Sequence, residues 1–199
     1  MIDLEEYEIF TSNISTLRQT SKDNHEGKNI YMTNSKLKVI NFDGVKKKYV
    51  KPIRLVEMPK SNDALYIGTS DDITFIEFKN GYIDKKKKFD ICIKIFDSLL
   101  IFMDIVKKTA DYTRGHLDYI LVYNETRNPM ERNDKSDVRF SESRTVIAKT
   151  LIEKKARKKF IRFGLERFEK LYFRAVYTYT EKEFEDNFIA KYSTSSINA

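Results

Sequence analysis

The stretch from Asp63 to Gly81 constrains the fold more than any other part of the chain, because it contains two short apolar runs separated by a turn. The first run spans Leu65 to Ile67 and the second Ile73 to Lys79, with Gly68 to Asp72 between them. In the second run, apolar side chains occupy both odd and even positions, a pattern typical of a strand covered on both faces. The stretch therefore predicts two strands joined by a turn, the second of them central in a sheet.

Two charged residues, Glu77 and Lys79, lie on one face of the second run. A covered strand tolerates such charges only when they are paired or bind a ligand. We expect them to meet at the end of the strand, where Asp63 arrives from the neighbouring strand. Two carboxylates and a lysine at one point could hold a divalent cation and act on a phosphate. The alternative is a strand-end salt bridge between Glu77 and Lys79, with Asp63 as a turn or capping residue.

The apolar pattern after Gly81 changes from a period of two to the 3.6-residue period of a helix. Asp84 is a suitable N-cap, and apolar residues at spacings of three and four predict a helix over residues 84–108. Residues 117–123 follow as another covered strand. A strand, a long helix and a second strand make a crossover unit.

The flanking regions give weaker patterns. Residues 37–42 are predicted as a strand and Asp43-Gly44 as a turn, and Tyr49 to Val56 as an edge or bulged strand because it contains Pro52. Elsewhere the patterns predict a weak helix over 1–18, loops over 19–29 and 124–143, a helix over 143–172 with a break near Gly164, a strand over 173–180 and a helix over 181–192. Together these elements predict one α/β domain over residues 1–199, with a mixed central sheet and a C-terminal helix-strand-helix extension over 143–192.

The order of Asp63, then Glu77-Phe78-Lys79, then the helix over 84–108 and the strand over 117–123 resembles the core of the PD-(D/E)XK nuclease superfamily. The resemblance covers roughly residues 37–124. It implies a restriction-endonuclease-like αβββαβ core and Mg²⁺- or Mn²⁺-dependent cleavage of phosphodiester bonds. It also implies that Asp63 and Glu77 are metal ligands and that Lys79 is the catalytic lysine. A backbone carbonyl, that of Phe78, would complete the protein's share of the ligands.

The charge balance favours an anionic partner. The chain carries 37 Lys and Arg against 30 Asp and Glu, for a formal net charge of +7. This excess predicts binding to nucleic acid, DNA or RNA, although a solvated lysine-rich surface has the same composition. The candidate nucleic-acid contacts are Lys154, Lys155, Lys158 and Lys159 in the densest basic segment, and Lys46, Lys47 and Lys48 in a second cluster.

Other features bound the class of protein. A single cysteine, Cys92, excludes an internal disulfide framework and fits a reducing compartment. The N-terminus is acidic and the longest apolar run, Leu99 to Met103, is too short to span a bilayer, so we expect a cytoplasmic protein that does not enter membranes. Three functions stay open: a metal-dependent nuclease; an inactive protein of the same fold that binds nucleic acid or protein; and an inhibitor or immunity-type interaction protein. A homodimer or a protein partner is compatible with each.

Overall fold

A mixed β-sheet forms the centre of the protein. The computed structural model describes residues 2–25, 28–68, 72–129 and 161–193. Within these ranges the strands are β1 (Ile14–Thr16), β2 (Lys22–His25), β3 (Lys28–Tyr31), β4 (Lys38–Asn41), β5 (Ala64–Ile67), β6 (Ile73–Lys79), β7 (Leu117–Tyr123) and β8 (Ala175–Thr180). Six of them pair in the order β1-β4-β5-β6-β7-β8, and β2 and β3 form a separate antiparallel hairpin. Neighbours are antiparallel from β1 to β6 and parallel from β6 to β8.

Helices cover both faces of this sheet. They are α1 (Glu8–Thr11), α2 (Leu17–Thr20), α3 (Phe42–Val50), α4 (Lys85–Val106), α5 (Ala110–His116), α6 (Glu181–Phe184) and α7 (Ala190–Ser193). A π-helical turn over Glu185–Ile189 joins α6 to α7, and 3-10 turns cover Leu4–Glu6 and Leu165–Phe168. The predicted α/β class with a mixed central sheet is thereby confirmed. None of the helices in the described ranges is long and apolar enough to cross a membrane.

Strand β6 lies between two hydrophobic cores, which explains why both of its faces are apolar. Ile73 and Phe75 pack on one side with the buried stripe of α4, and Ile76 and Phe78 pack on the other with the C-terminal helix. Every residue of β6 except Lys79 is buried. The predicted covered strand is therefore confirmed, and its one partly exposed residue, Lys79, lies at its C-terminal end.

Helix α4 connects β6 to the parallel strand β7, as the predicted crossover requires. It begins after Asp84, whose side chain accepts a hydrogen bond from the Lys87 backbone N–H at 2.8 Å, as an N-cap does. It ends at Lys107 in the left-handed conformation, with φ 53°. Residues at three- and four-residue spacing, among them Ile91, Ile95 and Phe102, are fully buried against the sheet.

The prediction of an edge strand over Tyr49 to Val56 is wrong, and so is the turn at Asp43-Gly44. Asp43, Gly44, Tyr49 and Val50 belong to helix α3, and residues 51–56 follow it without forming a strand. The Asn41 side chain accepts from the Gly44 backbone N–H at 3.3 Å and starts a helix before the turn can form. Because Phe42, Val45 and Tyr49 contact the core at spacings of three and four residues, the helix persists to Val50 and ends before Pro52.

Two polar regions also differ from their predictions. Residues 19–29, predicted as a loop, contain strand β2 and the start of β3. Because both strands are short and polar, the sequence shows no apolar periodicity from which they could be predicted. Residues 1–18, predicted as one weak helix, are divided into short helical pieces and β1.

The C-terminal region follows its prediction only in part. Strand β8 and the helix after it are confirmed, and β8 adds to the main sheet beside β7. The chain does break at Gly164, as the sequence indicated, but the helix predicted on either side of it is wrong for residues 161–172. Positive φ at Phe163 and Lys170 also interrupts a helical path there, and only a 3-10 turn over Leu165–Phe168 forms. Residues 143–160, and most of the loop predicted over 124–143, lie outside the described residues.

Candidate active site

The register of two antiparallel strands brings Asp63 beside Glu77. Ala64 pairs with Ile76, so the residue before β5 lies opposite Glu77 on β6. In that position the Asp63 carboxylate accepts a hydrogen bond from the Phe78 backbone N–H, with 2.8 Å between Oδ2 and N. Since Phe75 and Leu65 share one core, Asp63 and Glu77 belong to the same face of the sheet, two residues along each strand.

The charges of β6 meet at its end, as the sequence pattern indicated. Lys79 Nζ lies 2.5 Å from Glu77 Oε1. The Glu77 side chain is fully buried, while that of Lys79 is 22% exposed. The three predicted catalytic residues are thus close together on one face, and a salt bridge between Glu77 and Lys79 is also present. The geometry contains both features that the sequence left as alternatives.

A second lysine, Lys94 of α4, completes the charge cluster. Its Nζ lies 2.7 Å from Glu77 Oε1 and 3.3 Å from Asp63 Oδ1, so it bridges the two carboxylates. The sequence analysis missed this residue. The signal that could have revealed it is its place on the buried stripe of α4, three residues after Ile91 and four before the buried Ser98. A lysine at a core position of a helix requires an anionic partner.

Burial and mutual repulsion set the ionisation of the cluster. Burial, and then the charge of Glu77, raises the pKa of Asp63 to about 7 against the attraction of Lys94 and Lys79. Burial alone would lower the pKa of Lys94, but the carboxylates of Glu77 and Asp63 outweigh it and raise that pKa. The two acids therefore oppose each other's charge, and the lysines hold them together. A site of this kind favours an additional or substitute cation.

Several buried polar atoms beside the carboxylates make no hydrogen bond within the described part of the chain. They are Glu77 Oε2, the Tyr119 hydroxyl and both amide atoms of Asn62. The backbone of Asn62 is fixed to helix α4, because its N–H donates a hydrogen bond to Ser98 Oγ at 2.8 Å. Burial and the nearby charges of Glu77 and Asp63 raise the pKa of Tyr119 well above its ordinary value, so its hydroxyl keeps its proton. The free oxygen of Glu77 is the atom best placed to accept another ligand.

The donor set fits a magnesium or manganese ion bound through few protein ligands. Among the described residues, no group of three or more His, Cys, Asp and Glu side chains is arranged to hold a metal. Mg²⁺, however, commonly uses one or two carboxylates and keeps several waters. Asp63 Oδ1 and the unpartnered Glu77 Oε2 supply two hard oxygens. The Phe78 backbone N–H points towards Asp63, and within a strand the carbonyl of a residue points to the same side as its N–H. The Phe78 carbonyl therefore lies on the same side of β6 as Asp63.

A cleft of about 590 Å³ opens at this end of the sheet. Its wall includes Asp63, Phe78 and Lys79, whereas Glu77 is fully buried behind them and does not line it. The remaining lining comes from α2, the β2–β3 hairpin, the segment after β6, the start of α4 and the segment after β7: Thr20, Ser21, Lys22, Asp23, Met32, Asn80, Gly81, Tyr82, Lys87 and Arg127.

The predicted nucleic-acid contacts are not brought to this cleft. Lys46, Lys47 and Lys48 lie on α3 and do not line it. Lys46 pairs with Asp43 at 2.8 Å, and Lys48 donates to Ser12 Oγ at 2.8 Å. The basic cluster of Lys154, Lys155, Lys158 and Lys159 lies outside the described residues. Lys22, Lys87 and Arg127 do border the cleft. Lys87 belongs to the basic run Lys85 to Lys88, which the sequence offers as a secondary candidate for phosphate contact, but Lys22 and Arg127 were not predicted because they are far apart in the sequence.

Comparison with known proteins provides no family assignment: no protein-family model, no curated protein and no solved structure matches this chain. The function must therefore be argued from the site itself.

Proposed function

We propose that this protein is a metal-dependent nuclease that hydrolyses phosphodiester bonds of nucleic acid. One observation carries the proposal: Asp63, Glu77 and Lys79 converge on one face of the sheet, at the end of a strand where a cleft opens. The order of antiparallel strands β4, β5 and β6, crossover helix α4 and parallel strand β7 supports the restriction-endonuclease-like core that the sequence resembles. In that core these three residues have the roles of metal ligands and catalytic lysine.

The chain's own residues have separable tasks. Asp63 and Glu77, with the Phe78 carbonyl, would hold the Mg²⁺ or Mn²⁺ ion. When bound, such an ion lowers the pKa of a water molecule and neutralises charge on a phosphate. Lys79 is partly exposed and lines the cleft, so its ammonium group can contact a phosphate that lies there and stabilise charge developing on it. Burial of Glu77 keeps bulk water away from one side of the site.

Lys94 favours a second candidate from a different class. Because its ammonium already bridges both carboxylates, the cluster is neutralised without any metal. The same geometry would suit an inactive nuclease-fold protein that binds nucleic acid or a protein partner. Metal binding through Asp63 and Glu77 distinguishes the candidates, since only the nuclease needs to move Lys94 aside for an ion.

Cleavage assays with matched variants test the proposal. Labelled single- and double-stranded DNA and RNA are incubated with the protein in Mg²⁺, in Mn²⁺ and in EDTA. We expect metal-dependent cleavage by the wild type and its loss, by about 100-fold or more, in Glu77→Gln and Lys79→Met. Asp111→Asn and Lys107→Met serve as controls, because these charges are exposed and remote from the site. Absence of cleavage in all four substrates, or equal activity of the variants and controls, would contradict the proposal.

A further inference from the structure

We propose that the cleft binds an unpaired strand of nucleic acid, with a base stacked on Tyr82 and phosphates held by Lys22, Lys87 and Arg127. The inference deepens the proposed nuclease function and rests on it for the identity of the ligand. It names the form of the substrate, which the arrangement of Asp63, Glu77 and Lys79 leaves undefined.

The first observation is an exposed aromatic ring on a fixed loop. Tyr82 is 64% exposed and lines the cleft. The residues on either side of it are clamped by one buried side chain: Asn128 Oδ1 accepts from the Ile83 backbone N–H at 2.8 Å, and Asn128 Nδ2 donates to the Gly81 carbonyl at 3.1 Å. The ring is therefore presented to solvent by a backbone that cannot easily withdraw it. Such a surface is suited to stacking with a base, whatever its identity.

The second observation is the charge of the lining. Four cations border the cleft, Lys22, Lys79, Lys87 and Arg127, against two carboxylates, Asp23 and Asp63. Within the described residues, none of Lys22, Lys87 and Arg127 takes part in an ion pair. These three residues therefore have their charge available for an anionic ligand.

The third observation is that hydrogen bonds connect the segments that line the cleft to the end of β6. Asn80, at the end of β6, donates through Nδ2 to Asp23 Oδ2 of the hairpin at 3.2 Å and accepts from Asn124 Nδ2 at 2.9 Å. Gly81 leaves space for the Lys87 amine, since a Cβ at that position would lie 2.9 Å from Lys87 Nζ. The hairpin supplies Lys22, and Lys87 of α4 lies against the loop after β6, so both of these connected segments bring a cation to the cleft.

The volume of the cleft is suited to part of a single strand of nucleic acid. Its volume of about 590 Å³ lies in the range of sites that enclose a small ligand, on the order of 300–1,000 Å³. That space admits a nucleotide or two of an unpaired strand, whose bases are free to stack on an aromatic ring. The bases of a paired helix are stacked on one another, so they do not offer their faces to Tyr82.

Binding measured without cleavage tests the inference. Fluorescence anisotropy in EDTA compares labelled oligothymidylate and oligouridylate single strands with a duplex of equal length. We expect the single strands to bind at least tenfold more tightly than the duplex. Tyr82→Ala should weaken single-strand binding by about tenfold, and Tyr82→Phe should restore it, because the ring and not the hydroxyl is required. Phe89→Ala is the matched control, since Phe89 is 65% exposed and lies outside the cleft.

Salt dependence tests the phosphate contacts separately. Replacing Lys22, Lys87 and Arg127 with Ala should reduce the slope of log K against log salt concentration by about 2, as expected for three phosphate contacts to a single strand. The control replaces Lys51, Lys107 and Lys182, which are exposed and do not line the cleft. An equal reduction by both triple variants would overturn the inference.

The outcomes also separate this inference from the proposed nuclease. Tight single-strand binding that depends on Tyr82, without cleavage in Mg²⁺ or Mn²⁺, would support the cleft and contradict the nuclease. Metal-dependent cleavage combined with tighter binding of the duplex, or with no effect of Tyr82→Ala, would support the nuclease and overturn the inference about the cleft.

Discussion

Glu77 is the residue on which the charge cluster depends. One of its oxygens contacts both Lys79, at 2.5 Å, and Lys94, at 2.7 Å, and its side chain is fully buried. A buried ion pair contributes little compared with apolar packing, but removal of one partner is costly because the other charge is left without compensation. The carboxylate of Glu77 therefore stabilises the metal-free fold through the two lysines that it holds.

We expect Glu77→Gln to lower the free energy of unfolding in EDTA by about 3 kcal/mol, since it leaves two largely covered lysines beside a neutral amide. Urea unfolding of wild type and variant measures the difference. Asp111→Asn, which removes an exposed carboxylate, should change stability by no more than about 0.5 kcal/mol. A variant at least as stable as the wild type would mean that repulsion between Asp63 and Glu77 outweighs their attraction to the lysines.

The raised pKa of Asp63 predicts a pH dependence of stability. Its pKa is about 7 in the folded protein, against 3.8 for an ordinary aspartate. Between these values the folded state holds a proton that the unfolded chain has lost, so this contribution to stability is complete below about pH 4 and disappears as the pH rises through 7. The stability of Asp63→Asn relative to wild type should therefore rise by about 2 kcal/mol between pH 5 and pH 8 in EDTA. An unchanged or falling difference would contradict the shift.

At the scale of elements, α4 provides the cation that closes the site. Lys94→Met keeps the length of the side chain but removes the charge between Asp63 and Glu77. We expect this variant to have a lower melting temperature than wild type in EDTA and a larger rise on addition of Mn²⁺, because the ion no longer competes with the ammonium group. Lys107→Met at the exposed end of α4 is the control. A loss of stability in Lys94→Met without a rise in Mn²⁺ would favour the inactive nuclease-fold protein.

The elements that build the site were predictable because their patterns are local. Strand β6 and helix α4 each bury enough apolar residues to show their period in the sequence, and Asp84 marks where the helix begins. From this order alone, Asp63, Glu77 and Lys79 were expected to meet, and they do.

The parts that were not predicted depend on contacts between distant segments. The β2–β3 hairpin has polar strands whose pairing leaves no mark on their composition. Helix α3 was taken for a turn and a strand because its Asn41 cap was overlooked. Lys94 was overlooked because 17 residues separate it from Glu77, and only the packing of α4 on the sheet brings them together.

For the molecule as a whole, the fold brings residues from four regions of the chain together at one end of the sheet. Asp63 and Glu77 come from adjacent strands, Lys94 from the crossover helix, Arg127 from the segment after β7 and Lys22 from the N-terminal hairpin. An apolar core on each face of β6 holds the strands and helices that carry these residues. The net charge of +7 is consistent with a polyanionic partner for the cleft, while a homodimer or protein partner stays a prediction.

A crystal soaked in Mn²⁺ tests the metal site most directly, because manganese is located by its anomalous scattering independently of any activity. We predict an anomalous peak at coordination distance, about 2 Å, from Asp63 and Glu77 oxygens, with Lys94 Nζ displaced from its position between them. A Glu77→Gln crystal soaked in the same way should lack the peak. No peak in the wild type, with Lys94 still bridging both carboxylates, would contradict the assignment of these residues to a metal-dependent nuclease.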